Sequence, residues 1–167
     1  NPRLKTLRDF TDKDRFALPG IKTSFGATAL ERAVAKEFGI DHYAKLDPLT
    51  VGMPHPDGAI ALLGGKSEIT AHMASPPFSN QELADPKIHR VFDTMDVFGP
   101  LTILMTMASR PFADHNPKLM VALIAATDEA VGFIAAHKRE AAETYIRVMH
   151  AKTPVDDVLK VLEDPET

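Results

Sequence analysis

The stretch FALPGIKTSFGATAL, residues 16–30, sets the reading of the whole chain. Phe16 to Pro19 is apolar and short enough for a strand, Gly20 and the small polar residues after Lys22 turn the chain, and Ser24 is placed to cap a helix. In that helix Leu30, Val34 and Phe38 recur at i, i+4 and i+8, Ala27 and Ala33 permit close approach to a sheet, and Gly39 supplies the C-terminal stop. A strand running into a tight turn and a helix start directs backbone N–H groups near Thr23, Ser24, Phe25 and Gly26 toward the strand's carboxyl end. Such a turn accepts small anions.

The same pattern returns twice. Leu49 to Met53 is a second expected strand, followed by Pro54-His55-Pro56-Asp57 and a short helix from Asp57, its expected cap, to Leu63, which Gly64-Gly65 ends. Ile69 to Ala74 is a third, followed by Ser75-Pro76-Pro77-Phe78 and another short helix from Ser79. This βαβαβα alternation predicts an α/β fold with a mainly parallel sheet flanked by helices. Three small, polar, proline-bearing loops at one sheet edge imply a ligand cleft. His89 to Val97 alternates imperfectly and reads as a fourth strand, and Leu101 to Ser109 as a fifth. Arg110 to Asn116 reads as a loop. The last third is then all-α, with helices over 119–137, 139–151 and 154–162. Residues 1–15 read as a connection in which Leu4, Leu7 and Phe10 cover part of a surface.

The 167 residues suffice for one sizeable core. A net charge of −4 and a pI near 6.0 give no general pull toward nucleic acid or anionic membrane, and no nucleic-acid partner is expected. The absence of cysteine excludes a disulfide framework, a thiolate zinc site and a cysteine nucleophile. The apolar runs at 101–108 and 119–126 are read as too short or interrupted to cross a bilayer, which leaves a soluble chain. The start at Asn1 shows neither an initiating Met nor a signal peptide and reads as processed, truncated or cut from something longer.

The histidines at 42, 55, 72, 89, 115, 137 and 150 form no HxH or HxxxH pair, so no metal site is expected. His72 ends a buried strand beside the proline loop and is either a hydrogen-bonded core histidine or a ligand contact; His55 in the second loop has the same two readings. Ser24 and Ser75 lack the glycines of a nucleophile elbow, and neither GxGxxG nor the phosphate-loop pattern fits, so catalysis and nucleotide binding are not expected. Phe25, Met53 and Phe78 either line a pocket floor or close the core.

The run 16–30 resembles one family, together with Leu49-Thr50-Val51, Pro56-Asp57-Gly58-Ala59-Ile60-Ala61-Leu62-Leu63-Gly64-Gly65-Lys66 and Glu68-Ile69-Thr70-Ala71-His72-Met73-Ala74-Ser75-Pro76-Pro77-Phe78. So do Ala108-Ser109 to Phe112, Asn116-Pro117, and Lys138-Arg139-Glu140-Ala141-Ala142-Glu143 after the long helix. The family is the nitrate/sulfonate/taurine type of ABC-transporter substrate-binding protein, which includes proteins similar to thiamine-precursor binders. The resemblance implies a type 2 periplasmic-binding-protein fold, with two α/β lobes joined by crossing strands. Residues 12–102 would be lobe two, 101–109 the return strand, and the segment to 167 helices that normally pack on lobe one, most of which the chain then lacks. A second copy, by dimerisation or domain exchange, would be one way to cover those helices.

The implied activity is non-catalytic and without cofactor: binding a sulfonate, nitrate, carboxylate or pyrimidine in the periplasm, or on the outer side of the membrane, and delivering it to an ABC permease. The implied ligand contacts are Lys22, Thr23, Ser24, Phe25 and Gly26 for an anionic group, with His55, His72, Ser75 and Phe78 from the other loops. Two alternatives share the fold, namely an effector-binding domain of a transcriptional regulator and a pyrimidine-synthesis enzyme using histidine and pyridoxal.

Overall fold

The computed structural model describes residues 3–164. Three short parallel strands form its sheet, β1 (Phe16–Leu18), β2 (Thr50–Gly52) and β3 (Ala71–His72), in the order β2-β1-β3. Phe16 pairs with Thr50 on one side and Ala71 on the other; Ala17 pairs with Val51 and His72. Bonds from the Met53 N–H to the Leu18 carbonyl (2.8 Å) and from the Met73 N–H to the Ala17 carbonyl (2.9 Å) carry the ladder one residue further.

Helices α1 (Phe25–Phe38) and α2 (His55–Gly64) make the two crossovers, and α3 (Phe78–Leu83) follows β3. Side chains alternate across a strand. Phe16 and Leu18 therefore share one face, where they join Ala27, Leu30, Ala33 and Val34 of α1 in one cluster. Ala17 and its register partner His72 take the opposite face, which α2 covers with its buried Gly58 and Ala59. Leu18, Leu30 and Val34 are fully enclosed, each stabilising the fold by about 1.5–3 kcal/mol.

The N-terminal residues are more than a connection. Leu4, Leu7 and Phe10 are buried in the same core, and the Phe10 ring stacks on Phe16 with centroids 4.2 Å apart. Asp14 anchors this segment. Its buried carboxylate accepts from the Arg3 guanidinium at 2.6 Å and from the Thr11 amide and hydroxyl.

Four sequence expectations are corrected. Residues 89–97 contain no strand: Asp93 and Asp96 form a reciprocal capping box that starts α4 (Thr94–Phe98). Residues 101–109 form no regular element, since no described strand offers them a ladder, and Leu101, Ile103, Leu104, Met105 and Met107 are exposed. The expected loop at 110–116 is mostly α5 (Arg110–His115), with the Ser109 hydroxyl accepting from the Phe112 N–H. Helix α2 begins at His55, with Pro54 in the cap position and no side-chain cap; Asp57 lies within its first turn.

The chain divides into two compact units, one ending at Ile103 and one starting at Leu104. The second holds α5, α6 (Pro117–Ala136), α7 (Lys138–Met149) and α8 (Val155–Glu163). Helices α7 and α8 pack together around Ala142 and Val158, with Arg139 bonded to Asp156 at 3.0 Å. Contrary to the expectation from shorter runs, α6 is by length and composition able to cross a membrane, with 20 residues and a mean hydropathy of 1.8. Asp128 and Glu129 lie side by side near its middle. Intramembrane carboxylates cost about 2.5–3.5 kcal/mol each on insertion scales, which favours protein rather than lipid as the cover for this helix.

Candidate functional site

Parallel pairing sends the carboxyl ends of all three strands to one edge, where Pro19–Ser24, Met53–Pro54 and Met73–Pro77 leave the sheet. From β1 the chain crosses to one neighbour through α1, and from β2 it crosses back past β1 to the other neighbour through α2. The crossover direction thus reverses between β1 and β3, the topological switch point at which open α/β sheets place their ligands.

The first loop is tightly self-bonded. The Thr23 and Ser24 amides both donate to the Gly20 carbonyl, at 3.4 and 3.1 Å. The Ser24 hydroxyl caps α1 by accepting from the Ala27 N–H at 3.1 Å, as its position predicts. Lys22 adopts a left-handed backbone (φ 61°) and turns its exposed ammonium toward Asp47, 3.6 Å away. The Phe25 ring stacks on Phe98, and a Cβ on Gly26 would stand 3.2 Å from that of Met73. Two of the four expected amides are therefore used within the turn, and Phe25 helps to close the core.

The second and third loops meet in a hydrogen-bonded chain of three side chains. His72 Nδ1 lies 2.6 Å from a carboxylate oxygen of Glu82, and His72 Nε2 lies 3.1 Å from His55 Nδ1. The His72 and Glu82 side chains are 0% and 5% exposed, whereas His55 is half-buried. Phe78 stacks over His55 at 6.1 Å between centroids. The fold positions each member separately: β3 directs His72 onto the Ala17 face, α2 places His55 at its first residue, and α3 supplies Glu82 one turn after Phe78.

Room for the His72 ring comes from Gly58. A Cβ there would stand 2.7 Å from Nε2 and 2.9 Å from Cε1. Desolvation, and then the neighbouring His72, push the His55 pKa below its usual value, against a smaller opposing pull from Glu82. The start of a helix also disfavours a cation.

Of the expected contacts, the structure thus gathers His55, His72 and Phe78, with His72 set behind His55 as a buried, bonded histidine. Ser75 lies exposed in the loop after β3, its carbonyl accepting the Ser79 N–H at the start of α3. Lys22 to Gly26 occupy the neighbouring loop. Glu82 is the member that sequence reasoning missed. It lies in an ordinary polar helix segment, and only its spacing of one turn from Phe78 hinted at an inward direction.

Among the described residues no group of three or more His, Cys, Asp or Glu side chains is arranged to hold a metal ion. A surface depression lined by Phe38, Asp41, His42, Ala44 and Lys45 lies at the opposite end of α1 from this edge. No protein-family model matches the chain, and neither a curated protein nor a solved structure matches it.

Proposed function

We propose that this chain is the ligand-facing α/β lobe, with its following helices, of a type 2 periplasmic-binding-protein-like solute binder. It serves an ABC importer outside the cytoplasmic membrane, holds a small organic anion or heterocycle, and passes it to a membrane permease. The observation that carries this reading is the convergence of His55, Phe78, Ser75 and the Lys22–Gly26 turn on the carboxyl edge of a parallel sheet at its switch point. An aromatic ring beside a half-buried imidazole suits a planar group or an oxyanion. Neither feature alone requires chemistry on the ligand. In two-lobed binders a second lobe closes over such an edge and removes water from the ligand.

Calorimetric titration of the chain with taurine, methanesulfonate, nitrate, acetate and an aminopyrimidine tests the reading. Saturable binding of at least one, weakened by His55→Ala and by Phe78→Ala, is expected. Heat of dilution alone with every one of these solutes would sink it.

A further inference from the structure

We infer that α6 pairs antiparallel with the α6 of a second copy of this chain, in a register set by reciprocal ion pairs between Lys118 of each copy and Glu129 of the other. This association goes beyond the solute-binding reading and does not rest on it.

Helix α6 packs with α5 and α7, its neighbours in sequence, yet holds no buried residue. At 100° per residue its large apolar side chains gather on one half of the helix, where Leu119, Met120, Leu123, Ile124, Thr127 and Ile134 fall. Within that arc Leu119, Leu123, Ile124 and Ile134 are between 41% and 65% exposed. A continuous apolar face of this kind marks an interaction surface. The one polar side chain in the arc is already satisfied, because the Thr127 hydroxyl donates to the Leu123 carbonyl at 2.8 Å. The arc can therefore be dried without stranding a hydrogen-bonding group.

The opposite half carries Lys118, Ala122, Ala125, Asp128, Glu129 and Gly132, with Val121 as its one large apolar residue. These charges point to the cover. Lys118 is the only cation of α6, and Glu129 lies about three turns further along the same edge. In an antiparallel pair like edges face each other, so a two-fold axis between Leu123 and Ile124 sets Lys118 of each copy opposite Glu129 of the other. The same register lays Asp128 and Glu129 beside the N-terminal turn of the facing helix, the end that favours negative charge. A parallel, in-register pair would instead bring the carboxylates of the two copies together with no cation beside them. Lipid is the weaker cover, because both carboxylates lie near the middle of the helix.

The overlap runs over residues 117–130, about 20 Å of helix. Such an interface falls at the small end for specific complexes, below about 1,200 Å² in total, so a dissociation constant in the micromolar range is expected.

Sedimentation velocity of the chain at low salt, at concentrations across the micromolar range, tests the pairing. A monomer–dimer equilibrium is expected with no larger species, since a two-fold contact closes on itself. Lys118→Glu and Glu129→Lys should each weaken the dimer roughly fivefold or more, because each replaces two attractive pairs by two repulsive ones. Mixed in equal amounts, the two variants should regain association as heterodimers, in which both pairs attract again. Leu123→Glu, beside the axis, should leave a monomer. All three positions are exposed, so each variant should keep the parent's helix content by circular dichroism. Should Leu123→Glu fail to fold, the mixing experiment decides.

A chain that stays monomeric across the range, or that forms open-ended aggregates, overturns the inference. A dimer indifferent to both charge reversals overturns it as well. A monomer that cosediments with phosphatidylcholine vesicles overturns it in favour of lipid. Calorimetric titration reads ligand binding separately, so failure of the dimer leaves solute binding standing.

Discussion

His72 Nδ1 stands 2.6 Å from the Glu82 carboxylate although the two residues belong to different elements, one the last position of β3 and the other inside α3. Both side chains are essentially out of water, so each depends on the other for its hydrogen bond. Glu82→Ala leaves a buried imidazole nitrogen without its partner and is expected to lower stability by about 1–3 kcal/mol. Urea unfolding followed by circular dichroism measures this. A midpoint within error of the parent would mean that the bond contributes nothing to the fold.

Gly58→Ala sets two effects against each other. Within a helix, alanine is worth up to about 1 kcal/mol over glycine. Here the added Cβ would stand 2.7 Å from an enclosed ring, and overpacking of that kind typically costs about 1–3 kcal/mol. The clash should win, giving a net loss of stability and displaced His72 and His55 resonances. Gly64, which has nothing within 4 Å of an added Cβ and stands at the end of the same helix, is the control, and Gly64→Ala should leave both histidines unmoved.

The depressed pKa of His55 has a definite stability consequence. The unfolded chain takes up a proton near the ordinary histidine value of about 6.5, while the folded chain resists it. His55 therefore contributes stability that is fully present above the unfolded value and is lost as pH falls through the lower, folded one. Unfolding free energies measured at several pH values between neutrality and pH 5 should fall less steeply for His55→Gln than for the parent. Identical slopes would assign the acid sensitivity to other groups.

Asp14 acts at more acid pH. Burial alone would raise its carboxyl pKa, but the bonds from Arg3 and from the Thr11 amide and hydroxyl outweigh burial and hold it below the usual carboxylate range. Its stabilisation is present above the unfolded value of about 3.9 and disappears as pH falls through the lower folded value. Asp14→Asn should cost roughly 1.5–3 kcal/mol at neutral pH, the range for hydrogen bonds to a charged group, and flatten the acid limb of the stability curve. Chemical denaturation at pH 7 and pH 3 separates the two: a variant equally destabilised at both would place the loss in packing rather than in charge.

How far the sequence could be read depended on how local each signal is. Phe16 to Gly39 folds as read, with strand, turn, Ser24 cap, amphipathic helix and terminal glycine, because each signal acts within about four residues of its target. Helices α6, α7 and α8 were found within a few residues of their bounds for the same reason, with prolines at 117 and 154 marking two of the starts. Where the reading failed at 89–97, a short-range signal was present and passed over, since Asp93 and Asp96 spell a capping box. At 101–109 no such signal existed. An apolar run of that length suits a strand, but a strand exists only where another strand offers hydrogen bonds, and none described here does.

The amino-acid sequence by itself determined the three strand-to-helix loops and the histidines near them, since these depend on glycine, proline and cap chemistry along the chain. Only the tertiary structure decided that residues 55, 72 and 82 form one hydrogen-bonded line. Strand order β2-β1-β3 brings α2 over the face that His72 shares with Ala17, and the space left by Gly58 lets His72 lie against it. Those positions are separated by 17 and 10 residues. No local propensity reaches that far, so the site's chemistry resides in packing.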